Sequence, residues 1–259
     1  MSAAFAPVWP ARLENTVAKG RMVFVCEHAS CAFPAEFGTL GLTPALQTAH
    51  IAWDLGALGL ARALALRLDG PLIHAEVSRL IYDCNRPPDA PGAMAAQSEI
   101  HDIPGNQGLS PAQKYARVTA VYEPFHATLR SELLRRFTLG LQPVLVTIHS
   151  FTPVWHGQTR AVEFGVIHDA DPSLAHAVVQ TARTVPLITR LNEPYSASDD
   201  VTHTLRLHAT PYGLPSVMLE IRNDLIATPD AQTRMAALLA PVLAQALASL
   251  SNPRITKTG

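Results

Sequence analysis

An excess of charge of either sign is what this 259-residue chain most plainly lacks. It carries 20 Lys and Arg against 21 Asp and Glu, with no basic run. Nucleic acids and anionic membranes are bound through basic faces, so both partners are disfavoured. Lysine is scarce, with only Lys19 and Lys114 ahead of the C-terminal tail. The other cations are arginines, whose planar fork suits carboxylates. Cys26, Cys31 and Cys84 are an odd, low count without a C-x-x-C pair, which argues against a disulfide framework and a structural zinc knuckle. Residues 1–21 show no charged start followed by an apolar run, so no signal peptide is expected. The apolar stretch 51–66, broken by Asp54 and Arg62, falls short of a membrane span. A cytoplasmic protein is expected. Also missing are G-x-S-x-G, H-E-x-x-H and G-x-x-x-x-G-K-[ST], the patterns of a serine elbow, a helical zinc site and a phosphate loop.

What is present is apolar material, 48% of residues, enough for a sizeable core. The length fits one large α/β domain or two small ones. No repeat or linker divides it, so residues 1–259 read as a single domain. Polar, proline-containing ends (1–19 and 252–259) are expected to be loosely ordered. Short apolar runs at 21–26, 72–77, 80–82, 143–148, 163–168 and 215–221 predict buried strands. Thr43 followed by Pro44 opens a predicted helix that runs to Leu68. Further helices are predicted over 110–139, 172–184 and 229–250, and residues 87–108 form a long loop of the kind often tied to function. Strands alternating with helices predict an α/β fold with a covered, mostly parallel sheet. Functional residues in such sheets gather at the carboxyl ends of strands.

His28 and His149 each directly follow an apolar strand. Two imidazoles with a carboxylate and an open position make a catalytic zinc site. Each histidine, taken singly, reads more readily as a local hydrogen-bonding group; two at matching strand ends make the readings even. Asp54 is the preferred third ligand and Glu27 the competitor, because adjacent strand residues point to opposite faces. His50 stands four residues before Asp54, so a local His–Asp pair on one helical face is the plainer reading. Around the short strand at 80–82, Arg79 and Asp83 suit a structural ion pair, whereas Arg86, ahead of two prolines, suits a ligand carboxylate. Glu220 lies inside an apolar strand, where burial would raise its pKa and fit it for general-base work. Arg222 could tie it up instead. Cys26 and Cys31 flank His28, so a thiol nucleophile is a further reading, although Cys26 sits where a buried, inert thiol is expected.

Five separated motifs occur in order: Val25-Cys-Glu-His-Ala-Ser30, Ser78-Arg-Leu-Ile-Tyr-Asp-Cys-Asn-Arg-Pro87, His149-Ser-Phe-Thr-Pro153 with Gly157 and Arg160, Asn192-Glu-Pro-Tyr-Ser196, and Leu219-Glu-Ile-Arg-Asn-Asp-Leu225. Together they resemble the N-formylglutamate amidohydrolase family over roughly residues 22–226. The resemblance implies a three-layer α/β/α fold similar to zinc-dependent exopeptidases. It implies hydrolysis of a linear amide bond in a small N-acyl amino acid such as N-formylglutamate. It further implies one zinc ion on His28, His149 and Asp54, with Glu220 as general base and Arg79 beside the developing oxyanion. Asn85 and Arg86 are then expected to hold the substrate's α-carboxylate, and Arg160 a side-chain carboxylate. One departure stands out: three residues after His28, where exopeptidases of this kind place an acidic ligand, the chain has Cys31. That departure leaves room for a second reading, a non-catalytic binding module for acidic amino acids.

Overall fold

Alternation along the strands decides which side of the sheet each residue faces. In the computed structural model, which describes residues 8–251, seven strands form the main sheet. They are β1 (Arg12–Glu14), β2 (Met22–Cys26), β3 (Leu72–His74), β4 (Val144–Phe151), β5 (Phe164–Ile167), β6 (Thr189–Leu191) and β7 (Ser216–Arg222). Their spatial order is β1-β3-β2-β4-β7-β5-β6. Strands β3, β2, β4 and β7 are parallel neighbours, β1 is an antiparallel edge, and β5 runs antiparallel to β7 with β6 parallel beside it.

On one face, Met22, Phe24 and Cys26, then Val144, Val146 and Ile148, then Val217, Leu219 and Ile221 join a single apolar core. Three helices cover that face: α1 (Ala57–Arg67), α4 (Ser173–Thr181) and α6 (Pro229–Ser251). Two more helices precede α4 in the chain, α2 (Pro111–Arg117) and α3 (Glu123–Thr138). The opposite face, with Val23, Val25, Leu145 and Met218, packs against α3, α5 (His203–His208) and the loop after β3. The result is a three-layer α/β/α sandwich. Among the described residues, the segment Pro229–Leu250 of α6 is long and apolar enough by composition to cross a membrane. Its Ala236, Leu239, Leu243 and Ala246 are instead packed in the core. A leucine buried this way contributes about 1.5–3 kcal/mol.

Four expectations need correction. The helix predicted over 43–68 is two pieces: one turn at Pro44–Gln47 capped by the Thr43 hydroxyl, and α1. The break falls at Gly56, whose φ of 80° suits glycine and where a Cβ would run into the Ile226 carbonyl. Residues 80–82 are buried but turn rather than extend, as Ser78 accepts the Ile81 N–H and its hydroxyl accepts that of Leu80. The strand predicted over 72–77 stops at His74. Part of the N-terminal end is ordered, since β1 pairs with β3, while residues 1–7 and 252–259 lie outside the described residues. Between α2 and α3, residues Val118–Tyr122 form a π-helical turn. Pro124 has no N–H for the Ala120 carbonyl, so the wider turn absorbs a break that would otherwise kink the helix.

Candidate active site

Register carries the site. Glu220 on β7 pairs with His149 on β4, so both side chains stand on the same face. Val25 pairs with Thr147, and continuing that register by two residues sets Glu27 beside His149. All three lie past the apolar part of the second face, at the carboxyl ends of the parallel strands. Beyond Cys26 the chain turns, which brings His28 round to the same place. The Asp54 N–H donates to the His28 carbonyl at 2.9 Å, so the loop ahead of α1 delivers its carboxylate to the imidazole.

Three ligand atoms converge. His28 Nδ1 and His149 Nδ1 are 3.2 Å apart, and Asp54 Oδ2 lies 3.2 Å from the first and 2.9 Å from the second. All three residues are buried. Each ring's other nitrogen meets a different carboxylate: His28 Nε2 lies 2.7 Å from Asp83 Oδ1, and His149 Nε2 lies 3.2 Å from Glu27 Oε2. Asp83 accepts from His28 Nε2, and the Glu27 charge faces His149 Nε2 without a formed hydrogen bond, so with a cation bound both rings would keep a hydrogen on Nε2 and offer Nδ1 as the ligand atom. Two imidazole nitrogens and a carboxylate oxygen around one point form a cage that could hold a divalent cation. Atoms 2.9–3.2 Å apart are close enough for one divalent ion to reach all three. Carboxylates behind ligating histidines are the usual outer support of such sites.

The electrostatics agree. Burial and Arg79 pull the His28 pKa down, but the Asp83 and Asp54 charges outweigh them and it stands raised. His149 is raised well above its ordinary value, as Glu27 and Asp54 overcome its burial. Burial raises Asp54, yet the His28 charge and the bonds from both histidines hold it low. The cluster therefore attracts positive charge. Glu220 behaves oppositely: burial, with Asp54 adding to it, pushes its pKa up to about 7. Its Oε2 is buried without a hydrogen-bond partner.

These groups open on a cavity of about 240 Å³ whose walls include Arg79, Asn85, Arg86, Trp155, Tyr195 and Glu220. Arg79 bridges Asp54 (3.5 Å) and Asp83 (2.6 Å), so the expected Arg79–Asp83 pair is present and also braces the centre. Arg86 and Arg160 have no acidic partner among the described residues. Arg160 is stacked among Phe151, Trp155 and Tyr195, with its guanidinium 4.9–5.5 Å from the ring centres, and donates to the Tyr195 hydroxyl at 3.1 Å. Asn85 is 3% exposed, and its amide is engaged with residues 201–204.

Other readings fall away. His50 pairs with Glu99 (2.7 Å), not with Asp54, across the long loop. Arg222 bonds Asp224 and Glu163 and leaves Glu220 free. Cys26 points to the opposite face, and burial drives its thiol pKa well up, so it is no nucleophile for this cavity. Asp83 as the acceptor behind His28 and Tyr195 as a cavity wall go beyond what the sequence pattern predicts. Tyr195 carried no signal beyond its motif.

Residues 20–227 match the N-formylglutamate amidohydrolase family. The chain belongs to that family. Its members are hydrolases acting on a C–N amide bond. A gene product of Agrobacterium tumefaciens is similar in structure, with a TM-score of 0.92 and 48% identity over 94% of this chain and 96% of that one. An N-formylglutamate amidohydrolase from Ralstonia eutropha JMP134 shares the fold at a TM-score of 0.68, with 18% identity over 94% and 99% of the two chains. No curated protein matches the sequence.

Proposed function

We propose that this protein hydrolyses the amide of a small N-acyl amino acid, with N-formylglutamate the leading candidate, and that it does so with a divalent metal, zinc in first place. The observation that carries the reading is the cage of His28, His149 and Asp54 beside an unpartnered, buried Glu220. His28 Nδ1, His149 Nδ1 and Asp54 Oδ2 would hold the ion. When bound, it supplies Lewis acidity toward a water and an acyl oxygen.

The remaining work falls to the chain. Asp83 accepts from His28 Nε2 and the Glu27 charge stands 3.2 Å from His149 Nε2, so both imidazoles would keep their hydrogen on that side when the ion is bound. Glu220, with a pKa of about 7, is ionised in part at neutral pH, so it accepts the proton of the attacking water and passes it to the departing amine. Arg79 has five N–H donors and spends two on Asp54 and Asp83, which leaves others for charge growing on the acyl oxygen. Arg86 faces the cavity without a carboxylate of its own and grips the substrate's α-carboxylate. Arg160, held flat by three rings, offers a second cationic point for a side-chain carboxylate.

The test joins metal analysis of purified protein with formate release from N-formyl-L-glutamate. One equivalent of zinc, activity lost in chelator and activity restored by zinc are expected. Full turnover by metal-free protein would overturn the metal-dependent part of the reading.

A further inference from the structure

The loop at 83–86 faces two ways. Asp83 Oδ1 accepts from the Asn85 N–H (2.9 Å) and from His28 Nε2 (2.7 Å), which ties the loop to the histidine cage. On its other side, the Asn85 amide binds the main chain twice: Nδ2 donates to the Val201 carbonyl, and Oδ1 accepts the Thr204 N–H at 3.0 Å. Arg86 adds a bond from Nη1 to the Asp200 carbonyl. Residues 192–201 form a strap that crosses Gly165, where a Cβ would meet the Glu193 carbonyl, and that sets Tyr195 into the cavity wall.

The start of α5 has no cap of its own. Thr202, in the N-cap position, caps none of the helix's N–H groups with its side chain: its hydroxyl donates to Asp169 Oδ1 at 2.8 Å and accepts from the Arg206 side chain at 3.4 Å. Asn85 therefore supplies from outside the acceptor that the helix's first N–H groups require. A side chain buried to this extent, with a donor and an acceptor both spent on backbone, is built into the scaffold.

We propose that Asn85 is a positioning residue that clamps the strap and the start of α5 to the loop holding His28, and that the substrate's carboxylate is left to Arg86. The kinetic half of this inference rests on the proposed amidohydrolase activity; the structural half does not.

Hydrogen–deuterium exchange on the substrate-free protein tests the clamp directly. Asn85→Ala removes both bonds, and exchange over residues 200–206 is expected to rise at least about tenfold, with α1 and α6 unchanged. Asn85→Asp keeps an acceptor for Thr204 but loses the donor to Val201 and sets a carboxylate oxygen against that carbonyl. It is expected to fall between wild type and Asn85→Ala, and it carries the test should the alanine variant not fold.

The same variants assayed on N-formyl-L-glutamate separate positioning from substrate contact. A positioning role predicts that Asn85→Asp is the milder change in kcat, with KM within about threefold of wild type. Contact with a substrate carboxylate predicts the reverse order, since an aspartate there repels the substrate and raises KM more than alanine does. Unchanged exchange at 200–206 in both variants, or a KM raised most in Asn85→Asp, would overturn the proposal. If no variant, wild type included, turned over this substrate, the exchange data would still decide the clamp.

Discussion

Two groups of histidines, all buried except the half-buried His203, stand on the same side of the sheet, and the same side chain behaves oppositely in each. His28 and His149 face Asp54, Asp83 and Glu27, and both have raised pKa values. His126, His203 and His208 face one another, Tyr122 and a carbonyl. Burial takes His126 well below its ordinary value and His208 down to about 4. In the second group a hydrogen already fills the gap: His126 Nε2 donates to the Cys84 carbonyl, so its Nδ1 accepts from His208 Nε2 at 2.8 Å. In the first group carboxylates face the outer nitrogens, and the two inner nitrogens meet each other and Asp54 Oδ2 instead of a hydrogen-bonded carbonyl. The difference between the clusters lies in the acids around the imidazoles: the first has three and could hold a cation, the second has none in hydrogen-bond contact among the described residues.

The largest effect that follows is a loss at one cluster without an echo at the other. His149→Ala is expected to purify without zinc and to lower kcat/KM at least about 10³-fold, because it removes a ligand to the Lewis acid. His208→Ala is expected to keep its zinc stoichiometry. A zinc-free His208→Ala protein, by metal analysis, would break the comparison.

Glu220 comes next. Glu220→Gln is expected to lower kcat by about 10²–10⁴, the usual yield of a general base, with zinc still bound. The stability effect has the opposite sign. The folded pKa is raised, from 4.5 to about 7, so the group's favourable contribution is complete below the unfolded value and is lost as pH rises through the folded one. In metal-free protein at pH 8 the ionised side chain costs on the order of 3 kcal/mol. Glutamine removes that cost, so thermal melts should show the metal-free variant more stable than wild type at pH 8 and close to it at pH 5.

A smaller effect separates the outer carboxylates from the inner ligand. Glu27→Gln is expected to weaken zinc binding by about 10–100-fold in competition titrations with a chromophoric chelator, since it loosens His149 without removing it. A loss as large as that of His149→Ala would instead make Glu27 a ligand.

The sequence carried the strand-end histidines clearly, because an apolar run that stops at a histidine is a local signal. It carried Asp54 as a residue but not as a position. The break at residues 48–56 depends on Gly56 meeting the Ile226 carbonyl, a contact between segments 170 positions apart. The outer carboxylates were hidden for a similar reason. Glu27 reads as facing away from its neighbour His28, yet the turn after Cys26 brings both to one side; the histidine Glu27 meets lies one strand over, and only strand order and register reveal that. Edge strands β1 and β6 are three residues each, too short to show a period.

The gentlest test of the comparison is the pH dependence of stability. The folded pKa of His208 is depressed, from 6.5 to about 4, mainly by burial with help from Arg130 and His203. The neutral form is favoured on folding, so the contribution is present above the unfolded value and is lost as pH falls from about 6.5 toward 4. For this one residue the loss is on the order of 3 kcal/mol at its limit. The raised histidines of the metal-free cage have the reverse slope: their contribution holds below about 6.5 and fades as pH climbs through their folded pKa values. Urea unfolding of metal-free His208→Gln at pH 4.5 and 7 should show a smaller acid loss than wild type, because the amide cannot take up the proton. An unchanged acid slope would mean that His208 is already charged in the folded protein, and the contrast between the two clusters would collapse.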